Sequence, residues 1–179
     1  LLHIFAGAAA SIALPPAARA EHVRMTRLIE KTAALPAIGE RVDFISRALI
    51  GTPYRGYTLI GGPRKPEQFV TRDDAFDCVT YCEAVLAAAL VRRPEDYTAA
   101  LRQIRYRDGA VSWRARNHYF SQWCDSNVVN NICQPVAVPG GATVAKTVSY
   151  MPALGARRVS LNAVPRADLL ANRQLLATG

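Results

Sequence analysis

Four cysteines and three histidines are among the residues of this 179-residue sequence whose types can carry chemistry. Cys78 is the most informative of them. It follows Phe76-Asp77 and opens Cys78-Val79-Thr80-Tyr81-Cys82-Glu83, which runs into an apolar, alanine-rich stretch from Ala84 to Val91. The pattern predicts a helix starting at Cys78 with Asp77 as its N-cap. The first turn of a helix carries unpaired N–H groups and about half a positive charge. A thiol held there is biased towards thiolate, the form that attacks carbonyl carbon, and this points to a cysteine hydrolase. The helix-start N–H groups are candidate oxyanion donors. The commoner fate of a solitary cysteine is a buried structural thiol, so position alone leaves both readings standing.

The other cysteines divide by spacing. Cys82 falls one helical turn after Cys78, where two side chains run nearly parallel and bridge poorly. Cys124 and Cys133 flank a short polar stretch and are predicted to close a small disulfide; four reactive thiols on counting under denaturation would be the opposing result. No histidine or cysteine stands at zinc-ligand spacing beside Cys78 and Cys82, so no metal is expected.

A disulfide calls for an oxidising compartment, and residues 1–20, LLHIFAGAAASIALPPAARA, point to one. They are apolar and small, hold no acid, and end in Ala18-Arg19-Ala20, a small-x-small cleavage pattern. We read them as a signal peptide without its initiator Met and basic start, exporting residues 21–179 to the periplasm or cell envelope. Pro15-Pro16 argues against a buried helix, and the stretch is too short for a convincing membrane span, so stable membrane insertion is not expected. The 22 Lys+Arg outnumber the 14 Asp+Glu, and removing the signal takes away only Arg19. Such a surplus suits an anionic partner. For an exported chain the bacterial wall fits better than nucleic acid, for which no aromatic-plus-basic motif is present.

Several elements must position the thiol. Glu21 to Ala34 reads as an amphipathic helix with Met25, Leu28, Ile29 and Thr32 on one face. A second helix is predicted from about Ile38 to Ile50, with Val42, Ile45 and Leu49 buried and Gly51 as its stop. Tyr57 to Ile60 reads as a short strand, and Gly61-Gly62-Pro63 with Pro66 as a loop. After the cysteine helix, Arg92-Arg93 complement its dipole, and Pro94-Glu95-Asp96 starts a helix with Tyr97, Leu101 and Ile104 as its apolar face. Arg105 to Trp123 is dense in Arg, Tyr, Trp and His. Within it Arg116 and His118 could bind a substrate carboxylate, since arginine suits carboxylates bidentately. The competing reading pairs Arg105, Arg107 and Arg114 with Asp108 and Asp125 on the surface. Pro135 to Tyr150 turns β-like, and Asp168 to Leu176 is weakly helical. Residues 21–179 are enough for one domain with its own core.

Two segments together resemble the NlpC-type branch of papain-like cysteine amidases and peptidases: Ala48-Leu49-Ile50-Gly51-Thr52-Pro53-Tyr54, then Phe76-Asp77-Cys78 leading into the alanine-rich helix. With Ile104-Arg105-Tyr106-Arg107-Asp108-Gly109 and His118-Tyr119-Phe120-Ser121-Gln122-Trp123 following in order, the chain is similar to the N-acetylmuramoyl-L-alanine amidase-like family from about Arg41 to Trp123. Cys82 departs from the pattern, where an apolar residue is expected, and reads as a difference of packing. The resemblance implies an α+β, papain-like fold with the nucleophile on a helical N-terminal half, followed by an antiparallel sheet that is largely missing. It implies Cys78 as nucleophile, Tyr54 in the cleft supporting the oxyanion, and Arg116, His118 and Tyr119 as contacts to a peptidoglycan or muropeptide substrate. No cofactor is implied, because the thiolate supplies the chemistry. The bond it implies is that between N-acetylmuramic acid and L-alanine; a γ-D-glutamyl endopeptidase, a non-catalytic wall-binding module, or an acyl-chain transferase on the same fold are the alternatives. In such enzymes the general-base histidine follows the cysteine on a strand, whereas no histidine follows His118 here. His118 precedes the expected position and reads as a structural or substrate contact. The sequence therefore reads as the N-terminal portion of one amidase-like domain, inactive as it stands. Oligomeric state is not legible.

Overall fold

The computed structural model describes residues 23–134, 142–149 and 151–163. The expected signal peptide and the helical pattern of 168–176 lie outside them, as does much of the β-like stretch from 135. Helices and short antiparallel hairpins make up the described chain, an α+β composition. It divides into two compact units, one holding the residues up to Leu59 together with Val70–Leu101, the other Ile60–Phe69 with the residues from Arg102 onward.

The first unit is helical. Its elements are α1 (Val23–Thr32), α2 (Ile38–Leu49), α3 (Cys78–Leu90), a 3-10 turn at Pro94–Asp96 and the start of α4 (Tyr97–Arg105). Met25, Leu28, Ile29 and Thr32 are buried along one face of α1, the spacing a helix needs to present one stripe to a core. The helix packs against α2, where Ile45 and Leu49 are buried, and against α3, whose Ala87, Ala88 and Ala89 are fully buried. Small side chains there let helix backbones approach closely.

The buried stripe of α2 is Arg41, Ile45 and Leu49 rather than Val42, Ile45 and Leu49. Arg41 is inside because its guanidinium has carbonyl partners: Nε donates to Ala89 O at 2.6 Å and Nη1 to Leu35 O at 2.9 Å. Arg92 lies just past the C-terminal end of α3. It donates to the carbonyls of Ala33 and Leu35 in the α1–α2 connection, while Arg93 pairs with Asp96 at 2.8 Å. The apolar face read for α4 holds, with Tyr97, Leu101 and Ile104 all buried.

The second unit begins with a hairpin of β1 (Ile60–Gly62) and β2 (Lys65–Gln68), in register Ile60↔Gln68 and Gly62↔Lys65. The predicted strand at 57–60 is thus displaced, and the predicted loop is the hairpin. Tyr57 cannot join it, since its φ of 58° is left-handed. Pro66 is tolerated because a two-stranded ribbon has free edges. Beyond α4 come a turn at Arg107–Gly109, α5 (Phe120–Val129) and an antiparallel pair, β3 (Ala142–Val148) and β4 (Arg157–Ala163), running from Ala142↔Ala163 to Val148↔Arg157.

Candidate active site

The first turn of α3 is built by Asp77. Its carboxylate Oδ1 accepts from Val79 N at 3.0 Å and Thr80 N at 2.8 Å, and Thr80 Oγ1 in return accepts from Asp77 N at 2.9 Å. This reciprocal box fixes Cys78 as the first helical residue, with Asp77 in extended backbone before it. The cap was legible in the sequence; the reciprocal role of Thr80 was missed, though a hydroxyl three residues after an Asp was its signal.

The box also engages most of the helix-start N–H donors. Val79 and Thr80 N–H groups are used by Asp77, and Tyr81 N donates to Asp77 O at 3.0 Å. Cys78 N–H makes no hydrogen bond to the described residues. The expected set of helix-start donors therefore narrows to one, the amide of the cysteine itself.

Further contacts hold the chain ahead of Cys78. Asp73 Oδ2 accepts from Arg24 N at 3.1 Å and Met25 N at 3.3 Å, tying the preceding loop to the start of α1. Arg24 Nη1 reaches Thr52 Oγ1 at 2.8 Å, just after Gly51 (φ 84°) has ended α2. Arg55 N donates to Phe76 O at 2.9 Å and Phe76 N to Pro53 O at 3.1 Å, so Tyr54 and Phe76 sit side by side in a parallel bridge. Tyr81 packs edge-on against Phe76, ring centroids 5.9 Å apart, and its hydroxyl donates to Ser46 O of α2 at 2.9 Å. The Gly-Thr-Pro-Tyr turn is thereby held beside the strand-like approach to the cysteine.

Within that frame Cys78 is exposed, and Tyr54 is 77% exposed. Cys82 is exposed too, which corrects the packing reading: it fills no core position. Local burial, then the charges of Cys78 and Glu83, hold the Cys82 thiol above the ordinary range.

The residues expected to touch substrate in the second unit are engaged within it. Glu67, whose side chain is 2% exposed, accepts on Oε1 from Tyr106 Oη at 2.9 Å and from Arg116 Nη1 at 3.0 Å. Its other oxygen is buried without a partner among the described residues and lies against Gly61, where a Cβ would stand 1.9 Å away. Only glycine fits there. Arg116 is thus occupied by a buried carboxylate, the correction to its reading as a free carboxylate ligand. Burial and the hydrogen bond to Glu67 push the Tyr106 hydroxyl well above the phenol range.

His118 Nε2 lies 2.7 Å from Trp113 O, and a carbonyl only accepts, so the proton is on Nε2. Burial is the main cause holding its pKa below the ordinary histidine value, with Arg116 adding to it. Tyr119 is buried, and its hydroxyl accepts from Met151 N at 3.1 Å. The alternative surface pairs are not those predicted: Asp125 pairs with Arg157, Arg107 donates to Arg114 O, and Arg105 lies buried with its guanidinium 5.6 Å above the Phe69 ring.

Cys124 and Cys133 are free thiols, so the predicted disulfide is not formed. Cys124 lies inside α5, while Cys133 follows the left-handed Asn131 and donates its N–H to Asn127 O at 3.3 Å. The two are near enough that charge on Cys133 adds to burial in raising the Cys124 thiol. Among the described residues no group of three or more His, Cys, Asp or Glu is placed to hold a metal, and no helix is long and apolar enough to cross a membrane.

A family model described as AmiA-like, N-acetylmuramoyl-L-alanine amidase-like, matches residues 44–171. No curated protein matches the chain. Among solved structures, an N-acetylmuramoyl-L-alanine amidase from Bacteroides uniformis ATCC 8492 is 26% identical with a TM-score of 0.53, over 72% of this chain and 50% of that one. A protein from Legionella pneumophila str. Philadelphia 1 is similar in fold, with a TM-score of 0.66 at 20% identity, over 86% of this chain and 67% of that one. The chain spans about half the length of the Bacteroides amidase.

Proposed function

The chain belongs to the N-acetylmuramoyl-L-alanine amidase-like family, and we propose that it is part of an exported, papain-like cysteine amidase that cleaves the bond between N-acetylmuramic acid and L-alanine in peptidoglycan fragments. One observation carries the cysteine mechanism: the exposed Cys78 is the first residue of a helix whose start is locked by Asp77 and Thr80. Thiolate attack on the amide carbon would give a thioester and release the amine of L-alanine; water would then free the muramyl carboxylate. Cys78 N–H, without a partner among the described residues, is the oxyanion donor in this reading. Tyr54, exposed on the segment paired with Phe76, lines the cleft.

The base is the open part of the reaction. His118 does not suit it, because its protonated nitrogen is tied to Trp113 O and its ring is half-buried. The same observation favours a second reading, a wall-binding module that keeps the cleft without the chemistry.

The test is incubation of the complete protein, and of its Cys78→Ala variant, with an N-acetylmuramoyl-L-alanine-linked muropeptide. Release of a peptide with free L-alanine amine by wild type alone supports the amidase. Release of a fragment ending in γ-D-glutamate identifies the endopeptidase instead. Turnover that survives Cys78→Ala ends the cysteine reading, and retention of muropeptide without cleavage leaves the binding module.

A further inference from the structure

Cys82 has no part in the proposed hydrolysis and no packing role, yet it stands one turn from the nucleophile on the same exposed face of α3. Side chains four apart on a helix have Cβ atoms about 5–6 Å apart. A disulfide needs Cβ atoms about 3.5–4.5 Å apart, so the two sulfurs cannot bond directly while the helix is intact. Unwinding it would break the Asp77–Thr80 box, which resists by about 1 kcal/mol or more. Bridging through a third atom removes the conflict. Two metal–sulfur bonds of about 2.3 Å each let the sulfurs stand up to about 4.6 Å apart, where a disulfide holds them at about 2.0 Å.

We infer that Cys78 and Cys82 form a dithiol site on the first turn of α3 that captures a thiophilic centre content with two sulfur ligands, such as a trivalent arsenical. Two soft donors and no third suit this class, since among the described residues no larger cluster of metal-binding side chains is present. The two thiols also sense each other electrostatically, because charge on Cys78 raises the Cys82 thiol. With phenylarsine oxide the step is a condensation: two S–H bonds break, two As–S bonds form, and the arsenic oxygen leaves as water with both protons. No electrons change hands. Capture rests on the geometry of α3 alone; its consequence, a masked nucleophile and a silenced enzyme, rests on the amidase reading.

Thiol protection read by peptide mapping tests the capture without any assay of turnover. Equimolar phenylarsine oxide is added, followed by iodoacetamide in the presence of excess glutathione. Cys78 and Cys82 are expected to escape alkylation together, and 2,3-dimercaptopropanol to expose both again. In Cys82→Ala, an exposed helical position where alanine is well tolerated, protection of Cys78 is expected to weaken by roughly 10²-fold, because the second bond no longer forms intramolecularly. A Cys124→Ser/Cys133→Ser variant keeps protection at Cys78 and Cys82, which separates this pair from the other. Equal protection of Cys78 with and without Cys82, or free alkylation of both in wild type, overturns the inference. A protected pair in a protein that never cleaves muropeptide would leave the dithiol standing and remove only its inhibitory consequence.

Discussion

Asp77 in the first unit and Glu67 in the second each hold a short segment in place, but with opposite kinds of partner. Asp77 accepts from backbone N–H groups of the turn it caps, plus the Thr80 hydroxyl. Glu67 accepts from the side chains of Tyr106 and Arg116 and is itself buried. The first arrangement leaves neighbouring reactive side chains unengaged, so Cys78 and Tyr54 face outward. The second consumes the polar side chains around it. A residue whose type suits ligand binding is thus available only where something else satisfies the local carboxylate.

The largest effect should come from the unengaged side of that comparison. Cys78→Ala is expected to lower amide hydrolysis by the complete protein at least about 10³-fold, the scale of removing a covalent nucleophile. Because Cys78 is exposed, its unfolding free energy should change by only about 0.5 kcal/mol or less. A variant that loses stability instead would place Cys78 with the structural residues.

Arg116→Ala should behave in the opposite way. With the Arg116 and Glu67 side chains 12% and 2% exposed, removing one partner leaves a buried carboxylate uncompensated and costs about 3–5 kcal/mol. Denaturant titration reads this directly. A marginal stability change accompanied by a raised KM would restore Arg116 as a substrate ligand and break the contrast between the units.

Asp77→Ala removes the cap alone and is expected to destabilise by about 1 kcal/mol. Asp77→Asn keeps an acceptor for Val79 N and Thr80 N but removes a negative charge next to Cys78. Its stability should therefore stay close to that of wild type, since Asn caps a helix about as well as Asp. Equal losses of stability in Asp77→Ala and Asp77→Asn would mean that the charge, rather than the cap hydrogen bonds, holds the turn.

These contrasts also mark where the sequence could be read. The stripe Met25, Leu28, Ile29, Thr32 and the Asp77–Cys78 junction are local patterns, since helical period and cap chemistry act within a few residues. That Tyr54 pairs with Phe76 was not legible, because a parallel bridge across the intervening loop leaves no local trace; the resemblance gave only a place in the cleft. Arg41 was passed over in favour of Val42, as nothing near it in sequence announces the distant Ala89 carbonyl that satisfies it. Arg116 was misread for the same reason. Its partner Glu67 lies in a segment taken for a loop by its glycines and prolines, although Gly61 is there because the carboxylate needs the space. Cys124 and Cys133 were read as a disulfide from their spacing alone, yet both are free thiols.

His118 offers the smallest and most selective test of the buried side. Burial, with the positive charge of Arg116 and Arg107, disfavours its imidazolium, while Trp113 O and Glu67 act the other way; the net shift is downward. The folded state therefore prefers the neutral ring, and the unfolded chain takes up a proton more readily. Above the ordinary histidine pKa of about 6.5 both states are neutral and the full contribution to stability is present. It is lost as pH falls from there towards the depressed folded value, where the folded ring is protonated too. Denaturation midpoints should thus decline across that window in wild type. His118→Asn cannot titrate, and its amide can still donate to a carbonyl, so its midpoints should decline less. An identical decline in the variant would mean that another group takes up the proton, and that the ring beside Trp113 is not held neutral by its surroundings.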